Sequence, residues 1–168
     1  MQYQFRQSIS WSKISSSVAS FKVKKAGTMF DVAGLSLFVN NEDDYYYLLA
    51  LCNSRYAEEC LDFLSPTLNY ETGHIASIPV IKSEEYKASI NKLSNLNVFI
   101  SQQDWDSFET SWDFQRHPLL RNVSTIAEAF TQWQAECDER FNQLKANEEE
   151  LNRIFIDIYA LQDELTPE

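Results

Sequence analysis

The feature that most constrains this chain is a long apolar repeat in its last third. Between positions 126 and 165, apolar side chains recur at steps of three, four or seven residues, with glutamates mostly between them. Thr125 and Glu128 have capping-box spacing just ahead of this series. The pattern predicts one long amphipathic helix that begins near Thr125, or two helices separated near Asn147. The acidic run at 148–150 fits a solvated helix face better than a metal or catalytic site.

Residues 9–39 have a different character. Short β-branched and aromatic runs at 9–12, 19–24, 29–33 and 35–39 predict strands, and Gly27 and Gly34 mark turns between them. Alternation at period two places Phe21 and Val23 on one face and Lys22 and Lys24 on the other. We therefore expect a basic face outside an apolar one.

The middle of the chain predicts helices followed by a closing strand. One helix is expected from Glu42 through Cys52, capped by Asn40 or Asn41, and a second over residues 55–64. Residues 78–81 predict an edge strand, because Pro79 cannot donate to an interior ladder. Further helices are expected at 84–93 and from Ser101. The predicted class is α+β, with a small mixed lobe at 1–82 and a long-helix spacer at 83–168.

The charge is unevenly distributed. The net charge is -11, but residues 1–100 contain nine basic and ten acidic side chains, whereas residues 101–168 contain five and fifteen. Five basic residues precede Asp31, the first acidic one. The acidity therefore belongs to the second half, and the opening thirty residues could face phosphate.

The residues that usually carry chemistry are sparse. His74 and His117 are far apart and fit local hydrogen bonding better than catalysis, and the three cysteines lack CxxC spacing and fit free thiols in a reducing compartment. With three glycines and no nucleophile elbow or Walker loop, the sequence predicts no catalytic, cofactor-binding or metal-binding residue. Glu85 and Lys87 match the end of a nuclease motif, a spacing that we take as coincidental.

No stretch of the sequence indicates a membrane. Residues 1–30 lack the apolar centre of a signal peptide, and no apolar run approaches the length that crosses a bilayer. We expect a cytoplasmic location and no membrane partner.

Four segments in the first half carry a resemblance. They are Phe-Asp-Val-Ala-Gly at 30–34, Leu-Leu-Ala-Leu-Cys-Asn-Ser at 48–54, Pro-Thr-Leu-Asn-Tyr at 66–70 and Ile-Pro-Val-Ile at 78–81. Together they resemble the end of the target-recognition domains of type I restriction specificity subunits and fused methyltransferases.

Segments in the second half carry a narrower resemblance. They are Asp-Trp-Asp-Ser-Phe-Glu-Thr-Ser-Trp-Asp-Phe at 104–114, His-Pro-Leu-Leu at 117–120 and Glu-Glu-Glu-Leu-Asn-Arg-Ile-Phe-Ile-Asp-Ile-Tyr at 148–159. They resemble the adenine-specific DNA methyltransferases of BREX phage-defence systems, also known as phage growth limitation type. The aromatic side chains of 104–114 are expected to pack the long helix against the first half, since the interleaved carboxylates repel phosphate.

The resemblance implies that this chain binds DNA but does not itself catalyse methyl transfer. Such enzymes make N6-methyladenine from S-adenosylmethionine and hold a flipped adenine with an Asn-Pro-Pro-Tyr-type motif. This chain has no Pro-Pro pair and no glycine-containing cofactor loop, so it is expected to hold no cofactor, and S-adenosylmethionine belongs to the parent enzyme. The resemblance implies instead a DNA target-recognition lobe joined to a helical spacer.

Double-stranded DNA is accordingly the expected partner, together with other defence-system subunits or a second helical segment. The phosphate-contact candidates are Lys13, Lys22, Lys24, Lys25 and Arg55, and the base-contact candidates are the short polar side chains near predicted loops: Ser15, Ser16, Ser17 and Asn69. The competing hypothesis is a protein-interaction module, in which the acidic long helix pairs with a partner helix in a defence complex.

Overall fold

A computed structural model describes residues 3–168 as a mixed α+β fold. Three short strands form one antiparallel sheet, five α-helices follow, and a 3-10 helix at Glu42–Asp44 precedes the first of them. The elements are β1 (Ser8–Ser12), β2 (Lys22–Lys24), β3 (Gly34–Leu37), α1 (Tyr45–Cys52), α2 (Arg55–Leu64), α3 (Thr72–Ala76), α4 (Lys87–Trp105) and α5 (Ile126–Ile158). The predicted class, with its long C-terminal helix, is confirmed.

The sheet separates apolar from polar side chains. Its order is β2-β1-β3, and Ile9 of β1 lies opposite Val23 on one side and Leu37 on the other. Ile9 and Trp11 are buried, and directly opposed residues share a face of the sheet. The other face, here the polar sheet face, carries Ser8, Ser10, Ser12, Lys22, Lys24 and Ser36. The predicted basic face of β2 is confirmed.

Residues 29–33 do not form the predicted strand. The carboxylate of Asp31 accepts hydrogen bonds from the backbone amides of Ala33 at 2.9 Å and Gly34 at 3.0 Å. This local turn competes with strand pairing and leads the chain into β3. The bonds from Gly34 and Ala33, followed by the charge of Lys24, lower the pKa of Asp31.

The predicted strand at 78–81 is also absent from the structure. Tyrosine hydroxyls take the place of a strand partner: those of Tyr56 and Tyr159 donate to the Pro79 carbonyl at 3.0 and 2.8 Å. The Tyr47 hydroxyl donates to the Ile81 carbonyl at 2.8 Å, and the Tyr159 hydroxyl accepts from the Ile81 amide at 2.9 Å. Periodicity could not reveal these bonds, because they come from helices at 45–52 and 55–64 and from the end of α5.

The helices of the middle segment follow their caps. The Asn41 side chain accepts from the Asp43 amide, and the Ser54 side chain accepts from the Ala57 amide at the start of α2. The second predicted helix has the predicted bounds, while α3 has no counterpart among the predicted elements. The two helices predicted at 84–93 and from Ser101 are one helix, α4, which packs against both α1 and α5.

Helix α5 is continuous over 33 residues, and Thr125 caps it by accepting from the Glu128 amide, as predicted. Asn147 does not break it, because its buried side chain accepts from Gln143 and donates to Asn97 of α4, both at 2.8 Å. The helix ends at Ile158 although the apolar pattern continues to residue 165. Ala160 adopts a left-handed φ of 55° and the Leu161 amide donates back to the Ile156 carbonyl, which is a Schellman-type ending.

One apolar core joins the sheet to the helices. It contains Ile9 and Trp11 from β1 and Phe155 from α5, whose ring meets Tyr47 edge-on at a centroid distance of 5.7 Å. The division of the chain near residue 82 into two domains stays a prediction. Within residues 3–168, no helix has the length and apolarity required to cross a membrane.

Candidate nucleic-acid interface

The partners of the basic side chains distinguish the surfaces of the molecule. Nine of the fourteen Lys and Arg residues lie within salt-bridge distance of a carboxylate. Within residues 3–168, five have no such partner: Arg6, Lys22, Lys24, Lys92 and Arg116. Three of these five, Arg6, Lys22 and Lys24, lie within residues 3–82, here called the sheet lobe, and have no carboxylate within salt-bridge distance in the described part of the chain.

Two of the three rest against aromatic rings. The Arg6 guanidinium lies 5.7 Å from the Tyr3 ring centroid and 5.9 Å from that of Phe38, and the Lys24 ammonium lies 5.8 Å from that of Phe30. The rings themselves touch, with centroids 4.9 Å apart for Tyr3–Phe38 and 5.4 Å apart for Phe30–Phe38. These five residues form what we call the cation–aromatic cluster.

Gln4 ties this cluster together. Its side chain amide donates to the Phe30 carbonyl at 3.2 Å and accepts from the Phe30 amide at 3.1 Å. The N-terminal segment is thereby held beside the segment that precedes β3. Arg6 was not among the sequence-predicted site residues. Arg6 belongs to the basic opening segment that the sequence analysis noted. One of its aromatic partners, Phe38, is more than thirty positions away, so spacing in the sequence could not pair the two.

The loops that carry Lys13, Ser15 and Asn69 lie together at one end of the sheet. The predicted base contacts by short polar side chains in loops require such a grouping. The backbone bridges Ile14 to Asn69, and the Ser15 amide donates to the Leu68 carbonyl at 3.0 Å. Ser16 and Ser17 are exposed in the same loop. The Lys13 ammonium, however, lies 2.8 Å from the Glu71 carboxylate.

Two further predicted phosphate contacts, Lys25 and Arg55, are also ion-paired. Lys25 lies 3.0 Å from Asp113, which raises the pKa of the lysine through a side-chain hydrogen bond and its charge. Arg55 of α2 reaches Glu58 at 2.7 Å and Glu59 at 3.4 Å. The nine predicted residues thus fall in separate places. Of the two on β2, Lys22 is exposed and Lys24 is half-buried, and neither has an ion pair within residues 3–168.

A groove of about 940 Å³ runs between β2 and the helices α4 and α5. Lys22, Lys24 and Lys25 line one side, while three carboxylates, Asp106, Asp113 and Glu148, line the other. Desolvation raises the pKa of Glu148. The mixture of charges makes the groove a poorer fit for phosphate than the polar sheet face.

The aromatic loop between α4 and α5 does not pack as predicted. Trp112 is fully exposed and Trp105 is 56% exposed, so neither packs the long helix against the sheet lobe. Phe108 instead meets Trp133 of α5 at a centroid distance of 6.5 Å, and the His117 ring meets the same tryptophan at 5.5 Å. Of this segment, Phe108 and His117 therefore contact the N-terminal half of α5.

The histidines and cysteines have structural surroundings. His74 Nδ1 accepts from the Glu71 amide and His117 Nδ1 accepts from the Leu119 amide, so the expected local hydrogen bonding of both is confirmed. All three cysteines are free, as predicted, and burial raises the pKa of the Cys52 thiol to about 12.

The acidic and basic residues of the nuclease-like spacing are not assembled for metal chemistry. Lys87 lies 2.9 Å from Asp44, which also pairs with Lys82. The part of the chain that the structure describes contains no group of three or more side chains placed to hold a metal ion.

Comparison with known proteins gives two relatives over almost the whole chain. The adenine-specific methyltransferase PglX of Lacticaseibacillus casei (strain Zhang) is 44% identical over 172 residues, 99% of this chain. The adenine-specific methyltransferase BrxX of Escherichia coli O9:H4 (strain HS) is 30% identical over 164 residues, 96% of this chain. The chain spans only 14% and 13% of these relatives' lengths. No family model matches the sequence.

Proposed function

We propose that this chain is a DNA target-recognition and spacer segment of an adenine-specific DNA methyltransferase of the BREX phage-defence type, without a catalytic site of its own. The observation that carries the proposal is the identity of 44% and 30% to two adenine-specific methyltransferases over almost the entire chain. The segment contacts DNA, and its long helix fixes the distance to another lobe or subunit. The methyl-transfer chemistry lies elsewhere in the parent protein.

The charge distribution supports contact with DNA. Lys22 and Lys24 project from the polar sheet face without a carboxylate partner, and Ser15 and Asn69 meet in neighbouring loops. Phosphate contacts hold a protein on the duplex, while short polar side chains read base edges. The sheet lobe offers both kinds of group on one part of the molecule.

The chemistry of the chain supports a role apart from catalysis. The sequence has no Pro-Pro pair and no glycine-rich cofactor loop, and the one histidine in each half accepts a backbone hydrogen bond. S-adenosylmethionine therefore binds in another part of the parent enzyme, and the purified chain is expected neither to bind it nor to methylate DNA.

Duplex binding by the purified chain tests the proposal. In a fluorescence anisotropy titration at about 50 mM salt, we expect binding of micromolar or weaker affinity that weakens steeply as salt rises, as for complexes held by phosphate contacts. The matched assay for methyl transfer uses labelled S-adenosylmethionine and the same duplex. Failure to bind DNA at low salt, or methyl transfer with turnover, would contradict the proposal.

A second candidate function is a helical protein-interaction module. The observation that favours it is a row of exposed apolar side chains on α5, namely Ile126, Phe130 and Phe141, at 77%, 50% and 66% exposure. They lie at steps that suit pairing with another helix. Apolar helix pairing would change little with salt, so the same titration with a partner subunit distinguishes it from DNA binding.

A further inference from the structure

We infer that the DNA phosphate contacts of this chain are made by Arg6, Lys22 and Lys24 on the sheet lobe, and not by the ion-paired cations Lys13, Lys25 and Arg55. This inference rests on the proposed function and narrows it from the whole lobe to one surface. Arg6 was not among the five basic residues predicted from the sequence to contact phosphate. Of those five, the inference keeps Lys22 and Lys24 and excludes the other three.

The two sets of cations have different kinds of partner. A carboxylate at 2.8 or 3.0 Å, as at Lys13 and Lys25, offsets the charge of the cation, so that phosphate at these exposed pairs gains less than at an unpaired cation. An aromatic ring attracts a cation through its quadrupole but carries no net charge. Arg6 and Lys24 are therefore held in place with their full positive charge available to an anion.

The charges of Arg6, Lys22 and Lys24 adjoin one another. Lys22 and Lys24 are two positions apart on β2 and lie opposite Ser10 and Ser8, so both occupy the polar sheet face. Arg6 joins Lys24 through the contacting rings of Phe38 and Phe30. The three cations form one surface.

One acidic residue, Asp31, lies near these cations. Asp31 lies close enough to Lys24 for its pKa to be lowered by the lysine charge. Its carboxylate is already occupied by the backbone amides of Ala33 and Gly34 and is not within salt-bridge distance of Lys24. The surface therefore retains a net positive charge in a chain whose total is -11.

Charge complementarity identifies the occupant as the sugar-phosphate backbone. A row of closely spaced negative charges fits three adjacent cations. Lys22 and Lys24 also border the groove beside β2, whose far side carries Asp106, Asp113 and Glu148, whereas Arg6 does not line it. Phosphate is therefore expected on the side of β2 that faces Arg6, away from these carboxylates. The polar sheet face and its aromatic border thus form the side of the lobe that meets DNA.

Two triple variants that remove equal charge test the inference. Arg6→Gln/Lys22→Gln/Lys24→Gln changes the proposed surface, and Lys13→Gln/Lys25→Gln/Arg55→Gln changes only ion-paired residues. Both are titrated with a labelled duplex beside the wild type at low and raised salt, and circular dichroism with thermal melting verifies that each is folded.

If all three contacts form, raising salt from about 50 to about 200 mM should weaken wild-type binding about 40-fold. The Arg6/Lys22/Lys24 variant should bind more weakly at low salt and lose most of this salt dependence, while the Lys13/Lys25/Arg55 variant keeps the wild-type slope. Equal losses in both variants, or wild-type behaviour in the first, would overturn the inference while leaving DNA recognition standing. If the wild type itself does not bind at low salt, the proposed function fails and the inference fails with it.

Discussion

The surface around β2 and the region of α4 and α5 differ in the partners of their basic residues. In the connection between α4 and α5, Arg121 reaches both oxygens of Glu136, at 2.7 and 3.0 Å, and Arg140 of α5 lies 3.5 Å from Asp104 of α4. Around β2, Lys24 and Arg6, which precedes β1, rest on aromatic rings, and Lys22 is exposed. The same side-chain types thus stabilise the acidic helices in one region and remain available to an anion in the other. A net charge of -11 conceals this difference.

The two regions nevertheless share a core, and the largest expected effect tests whether they fold as one unit. Phe155 of α5 is fully buried against Tyr47 of α1. Phe155→Ala should lower the free energy of unfolding by about 3–5 kcal/mol, because it removes a large side chain and leaves a cavity. Chemical denaturation followed by both helix signal and tryptophan fluorescence measures it.

Phe141→Ala on the same helix is the matched control, since Phe141 is 66% exposed and should change stability by less than about 0.5 kcal/mol. If Phe155→Ala left the sheet signal unchanged while the helices unfolded, the two regions would be independent and the shared core would lose its importance.

A smaller effect is expected at the polar contact between α4 and α5. Asn147→Ala removes the partner of both Gln143 and Asn97 in a buried position, and should cost about 1–3 kcal/mol. Asn142→Ala, at an exposed position of the same helix, is the control. Equal melting temperatures for the two variants would show that the network contributes nothing to the joining of the helices.

The tyrosine hydroxyls around residues 79–81 predict a loss of stability in alkali. Burial is the main cause that raises the pKa values of Tyr47, Tyr56 and Tyr159 above their ordinary value of 10.0. The folded state therefore prefers the protonated hydroxyls: their contribution is complete below pH 10 and is lost as the pH rises through the higher folded-state values. Unfolding free energy measured from pH 8 to 11 should fall above about pH 10.

Tyr159→Phe sharpens this test. It removes the hydroxyl that bonds both the Pro79 carbonyl and the Ile81 amide, and should cost about 0.5–1.5 kcal/mol at neutral pH. It should also reduce the alkaline loss. An alkaline profile unchanged from the wild type would mean that Tyr159 does not report on this segment.

The smallest effect is expected where α5 ends. Ala160 has a φ of 55°, a conformation that glycine adopts without steric cost. Ala160→Gly should raise stability by about 0.5–1 kcal/mol, detectable as a higher denaturation midpoint. A lower midpoint would show that the backbone strain at Ala160 is outweighed by the flexibility that glycine adds to the unfolded chain.

Local signals explain what could be predicted from the sequence. The caps at Asn41 and Thr125 and the alternation at Lys22–Lys24 depend on neighbours within four positions, and the structure has them as predicted. The prediction of a strand at 78–81 was wrong because the hydrogen-bond partners of this segment are tyrosine hydroxyls from three distant helical segments. Lys13 is 58 positions from its ion-pair partner, and Lys25 is 88 positions from its own. The sequence therefore indicated which residues are basic but not which of them lack an ion pair.

Backbone amide NMR of the labelled chain, titrated with a short duplex at low salt, tests the central claim most directly. We expect chemical-shift changes to concentrate at Arg6, Lys22, Lys24 and the adjoining residues of β1, with the amides of α5 from Glu136 to Glu150 unmoved, and the changes to vanish as salt is raised. Shifts confined to α4 and α5, or to the Lys13 and Arg55 surroundings, would contradict recognition of DNA by the polar sheet face.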